Sequence, residues 1–531
     1  MKNDHSGADP LVRSRPPGRL AKKPSKPKLA FFLLSFFTCN ALVAEKPKLI
    51  VAIAVDQFRY DYLLRFRSEY KQGLDRLLTR GAVFSNAYYD HFPTVTAIGH
   101  STYMSGAMPS VSGIVANDWF DREASKTVTS VSDDSVKMLG GEGDGGASPH
   151  RLLVSTVGDE LKMSNGARSR VIGMSLKDRS AILPAGHIAD GAYWFDDKSG
   201  HFVSSTYYFP ALPAWVSVFN EEHPVDRYKG ARWLEHRLPE QADAKLYRGV
   251  YESPFGNDLL EALAERAVVN EKLGQRDVTD LLAISFSSND AIGHGMGPDS
   301  PEVHDVSVRT DQVLGKLFQF LDSKVGMQNV LVIFTADHGV SPVPEVNQAR
   351  KMPGGRMPPR IVRDTVQAEL TRRYGAGEWI SSPSEHSLYL NLDLIREKEL
   401  DRAEVNAAAA AAARNIPHVF RVYTREQLIN GYAMEDAVGR RVANGFYERR
   451  GADVYLLLEP YWMFSARGTT HGSTFNYDAH VPVIFMGPGI KTGRFDQTIA
   501  VNDVAPTLAT LLGIETPSGS VGRVLAEIFT K

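Results

Sequence analysis

Six side chains of metal-ligating type fall in four separated patches of the chain: Asp56 in IVAIAVDQFR, Asp290 and His294 in SSNDAIGHG, Asp337 and His338 in FTADHGVS, and His471 in GTTHGST. Carboxylate oxygen and imidazole nitrogen without thiolate suit a borderline divalent ion such as zinc better than magnesium or calcium, which prefer oxygen alone. Together they form the inventory of a two-metal hydrolytic centre. Asp290 and His294 stand four residues apart, so one helical turn would aim both at the same ion. Asp56 closes an apolar run, where an ionised carboxylate is costly unless it is paired or holds a metal.

Hydrolysis also needs an attacking group. A serine or threonine hydroxyl attacks at neutral pH when a base or a metal lowers its pKa. The segment FPTVTAIGHS, read as a loop, offers Thr94, Thr96 and Ser101, and the residues alone do not choose among them.

These groups must be positioned by a scaffold. Apolar runs lead into Asp56, towards Asp290 (LLAISFSS) and into Asp337 (VLVIFTA), which predicts three buried parallel strands delivering ligands to one sheet edge. Open α/β sheets bind ligands at that carboxyl edge. A helical pattern around Tyr60 to Arg80 is expected to end in a left-handed Gly81, followed by a strand over AVFSNAYY. GGEGDGGAS, from Gly140 to Ser148, lacks the preceding strand and spacing of a phosphate cradle and reads as a linker. GAYWFDDKSGHFVSSTYYF predicts a hairpin closed at DDKSG, opening a first cap-like insertion at about 187–277. A second insertion is expected at about 344–451, with a helix over the alanine run Ala407 to Ala413. The chain then returns through a core strand, HVPVIFMG, to a helix in NDVAPTLATLLGI, with Asn502 or Asp503 as N-cap and Gly513 as the stop.

Composition bounds the function classes. A chain of 531 residues with 43% hydrophobic content buries a large core, and a formal net charge of −2 gives no sign of a nucleic-acid-binding surface. The single cysteine, Cys39, lies in an N-terminal stretch expected to be removed, so thiolate nucleophiles and cysteine-bound zinc fall away. In that stretch Arg19, Lys22, Lys23, Lys26 and Lys28 precede LAFFLLSFF and small residues near Ala44, the pattern of a signal peptide over 1–44. The apolar core is short for a membrane span. An uncleaved anchor and a lipid-bearing Cys39 are the alternatives.

The set VDQFR, PTVTAIGH, NDW, SLKDRSAILPAGH, NDAIGH, TADHG and THGS resembles the alkaline phosphatase superfamily, most closely its bacterial zinc-dependent phosphate-irrepressible members with a Lys-x-Arg motif. The motifs keep the family order from about Lys48 to Ile514. The resemblance implies an α/β three-layer sandwich with a central, mostly parallel sheet flanked by helices, two zinc ions and a phosphothreonine intermediate in a catalytic domain over 46–531. It places Asp290, His294 and His471 on one zinc, and Asp56, Asp337, His338 and the nucleophile on the other. It selects Thr96 as that nucleophile and gives Asn117, Lys177 and Arg179 to the phosphate oxygens; an extended segment would put the last two on one side.

The expected product of these features is a periplasmic or secreted phosphomonoesterase, monomeric, acting on small phosphate esters, with no stable membrane span in the mature protein. A phosphodiesterase or nucleotide pyrophosphatase of the same superfamily is the alternative, since it shares the ligands and the threonine but typically lacks Lys-x-Arg. A non-catalytic phosphate-binding protein is the alternative of a different class.

Overall fold

The computed structural model describes residues 46–530 apart from 144, 385 and 432–435, so the signal peptide expected over 1–44 lies outside the described residues. The fold is organised around a ten-stranded sheet: β1 (Leu49–Val55), β2 (Ala82–Tyr88), β3 (Met138–Leu139), β4 (Val171–Ser175), β5 (Gly191–Asp196), β6 (His201–Ser205), β7 (Asp280–Phe286), β8 (Val330–Thr335), β9 (His480–Met486) and β10 (Gly493–Ala500). Their spatial order is β10-β2-β9-β8-β1-β7-β4-β5-β6-β3. The three apolar runs that end in ligands are the adjacent strands β8, β1 and β7, parallel and in register, with Val55 level with Phe286 and Ala54 level with Thr335. All of their residues are buried, which is why the sequence shows continuous apolar runs instead of alternation. The sheet as a whole is mixed, because β9 runs antiparallel to both β8 and β2.

Helices cover both faces. Those that matter for the site are α1 (Thr96–Ser105), α2 (Asp178–Ala185), α3 (Phe255–Asn270), α4 (Ser288–Met296) and α5 (Pro301–Lys324), with α6 (Val504–Leu512) closing the core. Asp503 is the α6 N-cap and Gly513 stops the helix in the left-handed conformation, φ 58°, as expected.

Several expectations need correction. FPTVTAIGHS is a loop only as far as Val95; Thr96 opens α1, whose ten residues are all buried, so no amphipathic pattern betrays the helix. The Tyr60 to Arg80 pattern is two helices, Tyr62–Arg65 and Gly73–Arg80, and Gly81 is extended, not left-handed. Its glycine is demanded by space, since a Cβ there would meet the Leu77 carbonyl at 2.6 Å. The DDKSG hairpin forms, but β5 pairs in parallel with β4, so it continues the main sheet instead of building a cap. Within the same 187–277 stretch, α3 buries Leu259, Leu260 and Leu263 in the main core.

The second excursion has its own four-stranded antiparallel sheet, in the order Ile380–Pro383, Ser387–Leu390, Val454–Leu458, Val419–Thr424. Its last strand in the chain lies beyond the expected boundary at 451. Helices Pro359–Tyr374 and Arg402–Arg414 enclose a separate core around the fully buried Trp379. No helix among the described residues is long and apolar enough to cross a membrane.

Candidate metal centre

Asp56 follows β1 directly, and its backbone N–H donates to the Phe286 carbonyl of β7 at 3.0 Å. Asp337 and His338 follow β8 across one residue, and α4 supplies Asp290 and His294 one turn apart. His471 arrives from the loop before β9. The donor atoms fall into two groups, each within 4.8 Å: Asp56, Asp337 and His338 in one, Asp290, His338 and His471 in the other. His338 and His471 stack with ring centroids 3.5 Å apart. His294 joins the second group through Asp290, its Nε2 lying 3.1 Å from Asp290 Oδ1, while His471 Nε2 is 3.8 Å from the same oxygen.

The three imidazoles share one device. His294 Nδ1 lies 2.9 Å from the Thr469 carbonyl, His338 Nδ1 2.9 Å from that of Gly339, and His471 Nδ1 2.8 Å from that of Thr94. A carbonyl oxygen can only accept, so each Nδ1 carries a proton and donates it. Each Nε2 thereby faces the carboxylates, which is how metal-ligating histidines are oriented.

The carboxylates give the complementary observation. Asp56 Oδ1 and Asp337 Oδ2 are buried without a hydrogen-bond partner, and His338 Nε2 lies 3.5 and 3.3 Å from them. Lys177 donates to Asp56 Oδ2 and Asp290 Oδ2, both at 2.6 Å, and so stands between the two groups. Three carboxylates outnumber the Lys177 ammonium and the His294 ring, and the uncompensated negative charge in a buried space costs free energy unless cations enter. Burial, reinforced by Asp337, accordingly pushes the Asp56 carboxyl up to about 7. Burial holds His338 down at about 4 and His471 well below its ordinary range, so both rings are neutral and ready to ligate. Burial also opposes charge on His294, but the Asp290 carboxylate outweighs it and pushes His294 up to about 9. This donor set, with its orphaned oxygens, fits divalent metal.

Thr96 is buried at the first position of α1, with Oγ1 3.3 Å from His338 Nε2. The positive end of the helix and its free N–H groups favour an anion there. Asn117 Oδ1 accepts from the Ala97 N–H at 2.8 Å, which holds the Asn117 amide against the first turn of α1, next to Thr96. Lys177 and Arg179 do not share an extended segment: Lys177 caps α2 and Arg179 lies in its first turn. Arg179 nevertheless acts electrostatically on Lys177, and its buried Nε has no hydrogen-bond partner.

Two residues without a role in the sequence reading hold this arrangement. Gln57, in the left-handed conformation at φ 62°, donates its backbone N–H to Asp337 Oδ1 at 3.0 Å and its amide to Asp290 Oδ1 at 2.6 Å. It therefore fixes one carboxylate of each group. His100, one turn after Thr96, places Nδ1 2.9 Å from the Thr96 carbonyl and 3.3 Å from Asp337 Oδ2, and its Nε2 2.7 Å from Ser285 Oγ on β7. The helical spacing of Thr96 and His100 was the available signal; for Gln57 it was only adjacency to Asp56.

The approach of α1 to Asp337 also depends on Gly99, where a Cβ would overlap the Asp337 backbone carbonyl. Gly99→Ala is expected to shift Thr96 against the carboxylates and lower kcat/KM by about 100-fold, the cost of a misplacement near 1 Å. Kinetics on folded, metal-loaded variant check this, and unchanged turnover contradicts it.

A mixed α/β sheet carrying a candidate Asp/His metal centre at its carboxyl edge, with a hydroxyl at a helix N-terminus beside it, is an arrangement suited to metal-assisted hydrolysis. Comparison with known proteins narrows the class. Residues 50–479 match the type I phosphodiesterase / nucleotide pyrophosphatase family. The chain is 35% identical to alkaline phosphatase PafA of Elizabethkingia meningoseptica, over 91% of this chain and 94% of that one. It is also 35% identical to a protein of Myroides odoratus named calcium-transporting ATPase, over 93% and 97%. The crystal structure of wild-type PafA matches with a TM-score of 0.85, covering 91% of this chain and 99% of that one. The chain belongs to the type I phosphodiesterase / nucleotide pyrophosphatase family, within the alkaline phosphatase superfamily. It is accordingly a hydrolase.

Proposed function

We propose that the protein is an exported phosphomonoesterase of alkaline phosphatase type, acting as a monomer with two zinc ions and a phosphothreonine intermediate on Thr96. The observation that carries the reading is the set of three inward-facing Nε2 atoms and three carboxylates gathered beside a buried threonine at a helix N-terminus. The names of the relatives, alkaline phosphatases among them, support it. Asp56, Asp337 and His338 would hold one ion next to Thr96, and Asp290, His294 and His471 the other. When bound, the ions supply Lewis acidity that lowers the pKa of the attacking hydroxyl and neutralises the leaving oxygen.

The chain's own groups do the rest. Thr96 Oγ1 attacks phosphorus in line, and the α1 N-terminus, Asn117 Nδ2 and the Arg179 guanidinium bind the non-bridging oxygens. Lys177 has spent two of its three N–H donors on Asp56 and Asp290, which leaves one for a phosphate oxygen. The ester oxygen departs with the alcohol as the Thr96 Oγ1–P bond forms; water then attacks phosphorus from the side the alcohol has vacated, breaking the Oγ1–P bond, releasing inorganic phosphate and restoring Thr96.

The charge favours monoesters. Three carboxylates and a Thr96 alkoxide, set against Lys177, Arg179 and two divalent ions, leave two positive charges, which match a phosphate monoester dianion. Diester hydrolysis is the second reading, favoured by the family match itself. Steady-state hydrolysis of p-nitrophenyl phosphate beside bis-p-nitrophenyl phosphate separates the two: a monoester preference is expected, and a diester preference moves the assignment. Arg179→Ala should lower kcat/KM about 10- to 100-fold for the monoester, the range for a lost charge-assisted hydrogen bond, and less for the diester. Equal losses count against a phosphate-binding role for Arg179.

A further inference from the structure

A cavity of about 480 Å³ opens beside the metal centre, and His294 lines it. Its walls come from the short hairpin Arg232–Trp233 and His236–Arg237, from the end of the helix Ala244–Tyr251, and from α4. Among the six ligands His294 is the accessible one, its side chain 38% exposed against 6% for Asp290 and His471 and none for Asp337 and His338. Through His294 the cavity borders the site on the Asp290 side.

On the phosphomonoesterase reading, the position of Thr96 against His338 decides what this space can receive. In-line displacement puts the leaving oxygen opposite Thr96 Oγ1, towards Asp290, His294 and His471. The cavity borders that group. We propose that it is a leaving-group pocket that selects phosphate monoesters of uncharged, aromatic alcohols.

The lining sets the chemistry of the occupant. Trp233, Leu238, Ile292 and Met296 supply apolar surface, and Met296 is 43% exposed at the end of α4. The charged groups at the rim already have partners: Arg237 pairs with Glu240, His236 with Glu302, and Glu252 with Arg248. The Trp233 indole N–H is likewise spent on Asp305, at 2.7 Å. Among the described lining residues other than His294 no charged side chain is left over for an ionic leaving group, whereas the volume lies within the range of small-molecule sites, about 300–1,000 Å³.

Gly295 provides the test. It lines the cavity, and a Cβ there would meet no atom within 4 Å, so a larger side chain can enter the space without displacing the fold. The experiment measures kcat/KM for 1-naphthyl phosphate and methyl phosphate on full-length, zinc-loaded wild type, Gly295→Phe and Met296→Ala, with inhibition by inorganic phosphate recorded alongside. Intrinsic reactivity cancels when each ester is expressed relative to wild type. Gly295→Phe is expected to cost the naphthyl ester at least about tenfold more than the methyl ester, and Met296→Ala to raise KM for the naphthyl ester selectively. Losses equal for the two esters in both variants overturn the leaving-group pocket. A wild type that hydrolyses neither ester overturns the phosphomonoesterase reading instead.

Discussion

Thr96→Ala is expected to abolish phosphate ester turnover, lowering kcat/KM by at least about ten-thousandfold, as loss of an enzymic nucleophile does elsewhere. The substitution removes the one hydroxyl that lies 3.3 Å from His338 Nε2 at the mouth of both ligand groups. It leaves α1 intact, because Val95 is the N-cap and Thr96 contributes no side-chain cap. Inorganic phosphate should still inhibit whatever activity remains, since the helix N-terminus, Asn117 and Arg179 are untouched. Thr96→Ser keeps the attacking oxygen and should lose far less. An alanine variant retaining a tenth of wild-type activity would remove Thr96 from the reaction.

Metal removal has the second large effect. Chelation is expected to lower activity at least about a thousandfold, and added zinc to restore it, because on this account the ions supply most of the lowering of the Thr96 pKa and of the charge that neutralises the leaving oxygen. Metal affinity should also depend on pH with a definite sign. In the metal-free protein His294 is pushed up to about 9 by Asp290 against the opposing effect of burial, so below that pH a proton occupies the ring that the metal needs. Ligands must lose their protons to bind, so affinity at the Asp290 group rises about tenfold per unit as pH increases towards 9, and the His294 contribution then levels off. At the other group the Asp56 carboxyl, raised to about 7 chiefly by burial, adds a second competing proton below neutrality. Competition with a chromophoric chelator between pH 6 and pH 10 measures this dependence. An affinity flat across that range would mean that His294 is not a ligand.

How legible these features are depends on whether their cause is local. The strands that carry Asp56, Asp290 and Asp337 show in the sequence because β1, β7 and β8 are buried on both faces and must be apolar throughout. Asp290 and His294 show as a pair because a helical turn fixes their relation. The proposed nucleophile is different: Thr94, Thr96 and Ser101 are equivalent as residues, and only the resemblance selected Thr96. The helix it opens was hidden, since a fully buried helix has no polar face to set a period. Gln57 and His100 escaped because their partners, Asp290, Asp337 and Ser285, are remote in the chain. The hairpin of β5 and β6 was visible as a local pattern, but its place at the flank of the main sheet follows from pairing with β4, which no local pattern encodes.

The central claim is that Thr96 takes the phosphoryl group before water does, and the stereochemistry at phosphorus tests it most directly. A monoester made chiral with oxygen isotopes is turned over by the zinc-loaded protein in the presence of an alcohol acceptor, and the configuration of the transferred phosphate is determined. Two successive in-line displacements, on and off Thr96, predict retention. Inversion would mean a single direct transfer and would contradict the phosphothreonine mechanism.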